Sequence, residues 1–149
     1  MILPFLSVSC SKIWGPSTAE KKITAEKTVR RFLDISATTR EHNDKNRLVG
    51  LCTGEMKKAF EKMSQETFEL AYLKSDLVIK DLKILDTQMS DKSAKIQYEI
   101  SIENVGGTDT TQETTKREVD LTQIDGQWYL ENIRPIGKDT ITFKQGMIF

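Results

Sequence analysis

The chain has 149 residues, 30% of them charged, with 22 Lys and Arg matched by 22 Asp and Glu. That length suits one domain able to bury a core without staples, and the charge balance argues against the basic footprint of a nucleic-acid binder. Two distant cysteines, Cys10 and Cys52, and a single histidine, His42, leave almost no material for a zinc site or a His-based triad.

The N-terminal stretch MILPFLSVSC is uncharged and mostly apolar. It matches the length of a short signal h-region, although the positively charged n-region is missing. Val8-Ser9-Cys10 fits the end of a lipoprotein signal, in which a small residue precedes the cysteine that receives the lipid. Ser7 departs from the leucine usual three residues before that cysteine, with Leu6 one place away. On this reading residues 1–10 are a signal remnant with Cys10 as lipidation site, and residues 11–22 are a polar tether. The chain would be anchored to a membrane without spanning it. Ser11 in place of Asp would send a Gram-negative lipoprotein to the outer membrane. The alternative is a buried first strand with an inert thiol in a cytoplasmic protein.

From Thr24 to about Thr39 the residues Ala25, Val29, Phe32, Leu33 and Ser36 recur at helical spacing, with Glu26, Lys27, Arg30 and Arg31 on the other side. A polar break, EHNDKN, precedes a short helix from Asp44 to Cys52. A third helix begins near Glu55, where Met56, Phe60 and Met63 share one face. Ser64 restarts the pattern as a cap, with Phe68, Ala71 and Tyr72 facing inward.

At Asp76 the period changes to two. Leu77 and Ile79 are followed by Leu82 and Ile84, a change of parity that predicts a β-bulge at Asp81. Ala94, Ile96, Tyr98, Ile100 and Ile102 then alternate with polar residues, as in an antiparallel strand with one face in the core and one in water. A third strand runs from Thr110 to Thr122, and Asp125-Gly126 marks a hairpin into a fourth, QWYLENIRP, stopped at Pro135. The tail, residues 137–149, offers a short edge strand around Thr140 to Phe143. Three helices followed by four antiparallel strands predict an α+β fold, with the helices packed on a bent meander.

This element order, the bulge at Asp81 and the closing DGQWYLENI resemble the nuclear transport factor 2-like superfamily over residues 23–136, and within it the small exported or lipid-anchored bacterial members. The resemblance implies a sheet curled into a cone whose mouth lies between sheet and helices. It implies little about activity, because the fold hosts isomerases, dehydratases, adaptors and ligand binders. Enzymes of the superfamily commonly place an Asp or Glu base with a Tyr, or an Asp-His pair, deep in the cone. His42, in its polar break, is a poor candidate for that role.

Tyr98 lies on the apolar face of its strand, so its hydroxyl needs a partner in the interior. A tight turn at Gly106-Gly107 would set Thr115 opposite Tyr98 and put Glu113 and Arg117 on the same inward face. Those charges either line a pocket or project beyond the helices in a hairpin end polar on both faces. A two-residue turn at Asp125-Gly126 would set Asp120 against Glu131, a like-charge pair that either a longer turn or nearby lysines must relieve. Two such acids lack the oxygen-rich loop of a calcium site, and no metal site is expected. Trp128 shares the face of Val119 and Leu121, as core first and pocket lining second.

With Phe32 and Tyr72 from the helices, the candidate ligand-binding residues are therefore Tyr98, Glu113, Arg117 and Trp128. No P-loop, Rossmann glycine pattern or G-x-S-x-G elbow occurs, and no cofactor is expected. The leading expectation is a non-enzymatic cell-envelope domain that binds a small apolar or amphipathic ligand, or a protein partner, at the cone mouth. The alternative is a small acid-base enzyme of isomerase or dehydratase type using Tyr98 and Glu113. A structural dimerisation module, and so a homodimer, would show as an exposed apolar sheet face.

Overall fold

The computed structural model describes residues 15–74, 76–106 and 108–137. Cys10, the signal remnant, most of the tail and its edge strand around Thr140 to Phe143 lie outside the described residues. Helix α1 spans Thr18–Thr38, α2 Asp44–Val49, α3 Gly54–Lys62 and α4 Gln65–Phe68, the last continuing into a π-helical turn at Glu69–Leu73. Four strands follow: β1 Leu77–Met89, β2 Ser93–Asn104, β3 Thr111–Ile124 and β4 Gln127–Pro135. They form one antiparallel meander in the order β1-β2-β3-β4. The α+β architecture is as expected, with one more short helix than the sequence pattern implies.

Helix α1 begins inside the stretch read as a tether. Ser17 is its N-cap: Ser17 Oγ accepts from the Glu20 N–H at 3.2 Å, and the Ser17 N–H donates to Glu20 Oε2 at 2.7 Å. This reciprocal capping box satisfies two amide donors at the helix start. Its first turn is exposed and carries no apolar stripe, so periodicity registers the helix only from Thr24 onward. Ala25, Val29, Phe32, Leu33 and Ser36 are all buried, as their spacing requires. Ser64 caps α4 by accepting from the Thr67 N–H at 3.1 Å.

The sheet owes its curl to bulges. In β1 the pairing with β2 shifts between Ile79 and Asp81, as the parity change predicts, and again between Ile84 and Asp86. The inward positions run Leu77 and Ile79, then Leu82 and Ile84, then Thr87 and Met89, with parity reversing at each shift. Each extra residue bends the strand and increases its twist. Strand β2 alternates strictly: Ala94, Ile96, Tyr98, Ile100 and Ile102 are buried and their neighbours are not.

Two register expectations are corrected. The β2–β3 loop is longer than a tight turn at Gly106-Gly107, with Asn104 pairing Thr111, so Tyr98 faces Arg117 rather than Thr115. A two-residue slip preserves the faces, and Thr115 and Arg117 are buried, which rules out a hairpin end polar on both faces at that level. The β3–β4 turn is the expected two-residue hairpin, with Asp125 at φ 49° and Gly126 at φ 80°. Yet Asp120 pairs Asn132, because the register shifts just beyond Leu121 and leaves Glu131 as the extra residue of β4. The bulge relieves the like-charge pair. Neither a longer turn nor lysine screening is involved.

Candidate functional site

The interior behind β2 is filled. The Phe32 and Phe60 rings meet edge to face at 6.2 Å, Phe60 and Tyr72 lie 6.1 Å apart, and Phe68 stacks on Tyr72 at 4.9 Å. Ile96, Ile100, Ile102 and Leu130 close the same cluster. Such packing is dense enough to leave few voids larger than a water molecule.

The expected binding residues fall mostly into this core. Phe32, Tyr72 and Tyr98 are at most 1% exposed, and Trp128 is 4% exposed. Trp128 Nε1 donates to Thr24 Oγ1 at 3.2 Å, tying β4 to α1, while one edge of the ring borders a small cleft beside Gly50 and Leu51. Arg117 is 8% exposed on the inward face, and Glu113 is half-buried opposite Ile102. Tyr98 Oη is buried and has no hydrogen-bond partner among the described residues. Burial pushes its pKa up, and the Arg117 charge opposes that only in part. Four residues of extended chain, about 13 Å, separate the level of Glu113 from that of Arg117 and Tyr98. The Tyr98–Glu113 pair of the acid-base alternative is thus not drawn together.

Cys52 is equally enclosed. Burial pushes its thiol up to about 12, which makes it an inert core side chain. Among the described residues no cluster of His, Cys, Asp and Glu could hold a metal ion. No helix among them is long and apolar enough to cross a membrane.

The outer face of the sheet is polar. Glu118 accepts from Gln97 Nε2 at 2.8 Å and also from Arg134, which bridges to Asp120. Lys95 lies 3.8 Å from Glu118 and Lys116 3.9 Å from Glu99. This face carries a charge ladder, not the exposed apolar surface expected of a dimerisation module.

The open features are surface clefts. One of about 650 Å³ lies where Glu55 approaches the Met89–Ser93 turn and the Asp120 and Glu131 region. The more apolar one, about 830 Å³, opens between the second half of α1 and the first half of β1. Hydrogen bonds tie α1 to β1 at the other end: Thr87 Oγ1 donates to Glu26 Oε1 at 2.7 Å, and Lys21 Nζ reaches Asp91 at 3.4 Å in the turn after β1. Beyond that anchorage the cleft opens beside the register shift at Lys80. Val78, Ile79 and Leu82 give the cleft its apolar lining, with Leu33 and Ala37 from the helix. Arg30, Arg31 and Arg40 also line it, together with Asp34 and Asp81. Arg40 turns back to donate to the Thr39 carbonyl at 2.7 Å, and Lys80 is held by Glu103 at 2.8 Å. Sequence reasoning missed this site because it looked for inward-facing residues. The signal available was Arg30-Arg31 on the helix together with Val78, an apolar residue on the outward parity of an edge strand.

By sequence, the chain matches no family model and no curated protein. By structure it is similar to several solved proteins. The intermembrane space region of the chloroplast protein ARC6 superposes with a TM-score of 0.56 at 14% identity, covering 78% of this chain and 97% of that one. A protein of unknown function with a cystatin-like fold from Nostoc punctiforme gives 0.57 at 11% identity, over 87% of this chain and 98% of the other. The Ntf2-like potential transfer protein TraM from the Gram-positive conjugative plasmid pIP501 gives 0.50 at 10% identity, over 80% and 98%. The chain thus shares its fold with solved Ntf2-like proteins, in keeping with the element order and the closing strand. At these identities the likeness speaks for fold alone.

Proposed function

We propose that this is a non-enzymatic binding domain of the bacterial cell envelope, held at the membrane by a lipid on Cys10, that takes an amphipathic ligand or a protein partner. The observation that carries the binding role is the α1–β1 cleft, apolar within and bordered by arginines, beside an interior already occupied by aromatic side chains. Its volume lies within the range of ligand sites, ~300–1,000 Å³. The binding surface is therefore the margin of the sheet rather than the depth of a cone. Support for the envelope location comes from Val8-Ser9-Cys10 and its uncharged upstream stretch. The acid-base alternative lacks a carboxylate in hydrogen-bond reach of Tyr98.

Two experiments test this. A titration of the ¹⁵N-labelled chain with 8-anilinonaphthalene-1-sulfonate, a small amphipathic anion, should shift amides of residues 30–40 and 78–82. Shifts centred on Phe60, Tyr72 and Tyr98 instead would return binding to the interior and overturn the surface reading. For the anchor, expression with the native upstream region should yield a membrane-bound species starting at Cys10 with added acyl mass. An unmodified, soluble Met1 species would remove the anchor.

A further inference from the structure

The two edges of the sheet are treated differently. At the β4 edge the segment Leu51–Thr53 pairs with Leu130: the Leu130 N–H donates to the Leu51 carbonyl at 2.9 Å, and the Thr53 N–H donates to the Leu130 carbonyl at 2.8 Å. At the β1 edge, Val78–Leu82 pair with β2 only, and among the described residues no other backbone hydrogen bond reaches them. Five consecutive residues of β1, of both parities, line the cleft. β1 is the outer strand of the sheet, so the N–H and C=O groups of this stretch that point away from β2 border the cleft.

We propose that the α1–β1 cleft receives an extended acidic segment of a partner protein, added to the sheet as a strand beside Val78–Leu82. This rests on the cleft being the binding surface. Backbone hydrogen bonding decides between occupants. An acyl chain lying in the cleft would desolvate the edge amides and carbonyls without bonding them, which disfavours it. An extended peptide pairs them, and its alternate side chains point to one face and the other. One row lies on Val78, Ile79 and Leu82, and the other meets the helix.

Charge selects which peptide. Lys80 is already neutralised by Glu103, so the guanidinium groups of Arg30, Arg31 and Arg40 stand against the carboxylates of Asp34 and Asp81. Arg30 and Arg31 are exposed, adjacent, and in no ion pair among the described residues. Arginine binds carboxylate bidentately, so acidic residues on the helix-facing row match them. Five strand residues span about 17 Å and the facing helix segment about 15 Å, room for a segment of four to six residues.

The test uses the full ¹⁵N-labelled chain and four probes at up to millimolar concentration. These are an octapeptide alternating Glu with Val or Ile, its Lys-for-Glu counterpart, the Glu peptide N-methylated at every peptide bond, and dodecanoate. The Glu peptide should shift amides in 78–82 and 30–40 saturably, while the Lys and N-methylated peptides bind at least tenfold more weakly. Arg30→Glu with Arg31→Glu should weaken the Glu peptide tenfold or more, and Lys22→Glu with Lys27→Glu, on the same helix, should leave it within twofold. Both pairs are exposed, and unchanged spectra without peptide would establish that they fold. Equal binding of the N-methylated peptide overturns strand addition. Dodecanoate shifting the cleft where the Glu peptide does not overturns the peptide proposal and leaves the cleft as the binding surface. If every probe, the dye included, leaves the cleft unshifted, the underlying reading fails as well.

Discussion

Replacing Tyr98 by Phe should stabilise this protein. Tyr98 is fully enclosed, its ring packs within the aromatic and isoleucine core, and its hydroxyl has no hydrogen-bond partner among the described residues. An enclosed, unsatisfied hydroxyl costs roughly 1–3 kcal/mol of desolvation. The Arg117 side chain across the strand pair opposes part of that cost, since its charge favours an oxygen dipole turned toward it. The gain from deletion therefore sits at the lower end, about 1 kcal/mol. The isosteric ring keeps the packing, so no cavity cost is added. For a domain of this size, about 1 kcal/mol corresponds to a rise in Tm of about 4 °C. Urea titration followed by Trp fluorescence should give a higher midpoint with an unchanged slope. A loss of 1 kcal/mol or more would mean that the hydroxyl is hydrogen-bonded in the native protein, and the reasoning about this interior would be wrong.

Three further outcomes follow from particular contacts. Gly54 sits at φ +55°, and a Cβ there would lie 2.8 Å from Glu131 Cγ, so Gly54→Ala should cost about 1–2 kcal/mol in chemical denaturation. Adding Glu131→Ala relieves the contact but not the backbone cost, and full recovery in the double variant would contradict the assignment to φ. The Glu118 carboxyl is held below its ordinary value of 4.5 by the Gln97 hydrogen bond first, then by Arg134 and Lys95. Its stabilisation is complete above pH 4.5 and is lost as pH falls through the depressed native pKa. Stability of Glu118→Gln, measured from pH 7 to 3, should fall less steeply than that of the parent, and identical slopes would contradict this. In a Cys10→Ser background, Cys52 should resist thiol-disulfide reagents at pH 8 until the chain unfolds, because burial holds its thiol up at about 12. Labelling at the rate of a free thiol in the native state would contradict its place in the core.

What could be read in the sequence followed the strength of local periodicity. Strand β2 alternates without interruption, so its buried face was legible residue by residue. The first bulge of β1 showed as a change of parity at Asp81, whereas the second hides among Leu85, Asp86 and Thr87, where no apolar pair marks it. The like-charge opposition of Asp120 and Glu131 was a real signal that the hairpin cannot continue in register, and the chain answers it by extruding Glu131. The start of α1 was missed because Ser17 and Glu20 announce it through capping chemistry rather than apolar spacing. The slip that sets Arg117 against Tyr98 depends on loop length, which two adjacent glycines understate. The cleft was the least legible feature. It lies between α1 and β1 beyond their Glu26–Thr87 tie, a tertiary juxtaposition that no local pattern announces.

Intermolecular NOEs between the acidic octapeptide and the labelled chain test the central claim most directly. Backbone contacts from the peptide to Val78–Leu82, with side-chain contacts to residues 30–40, are the expected result. Contacts to the rings of Phe60, Tyr72 or Tyr98, or contacts confined to the β4 edge, would contradict it.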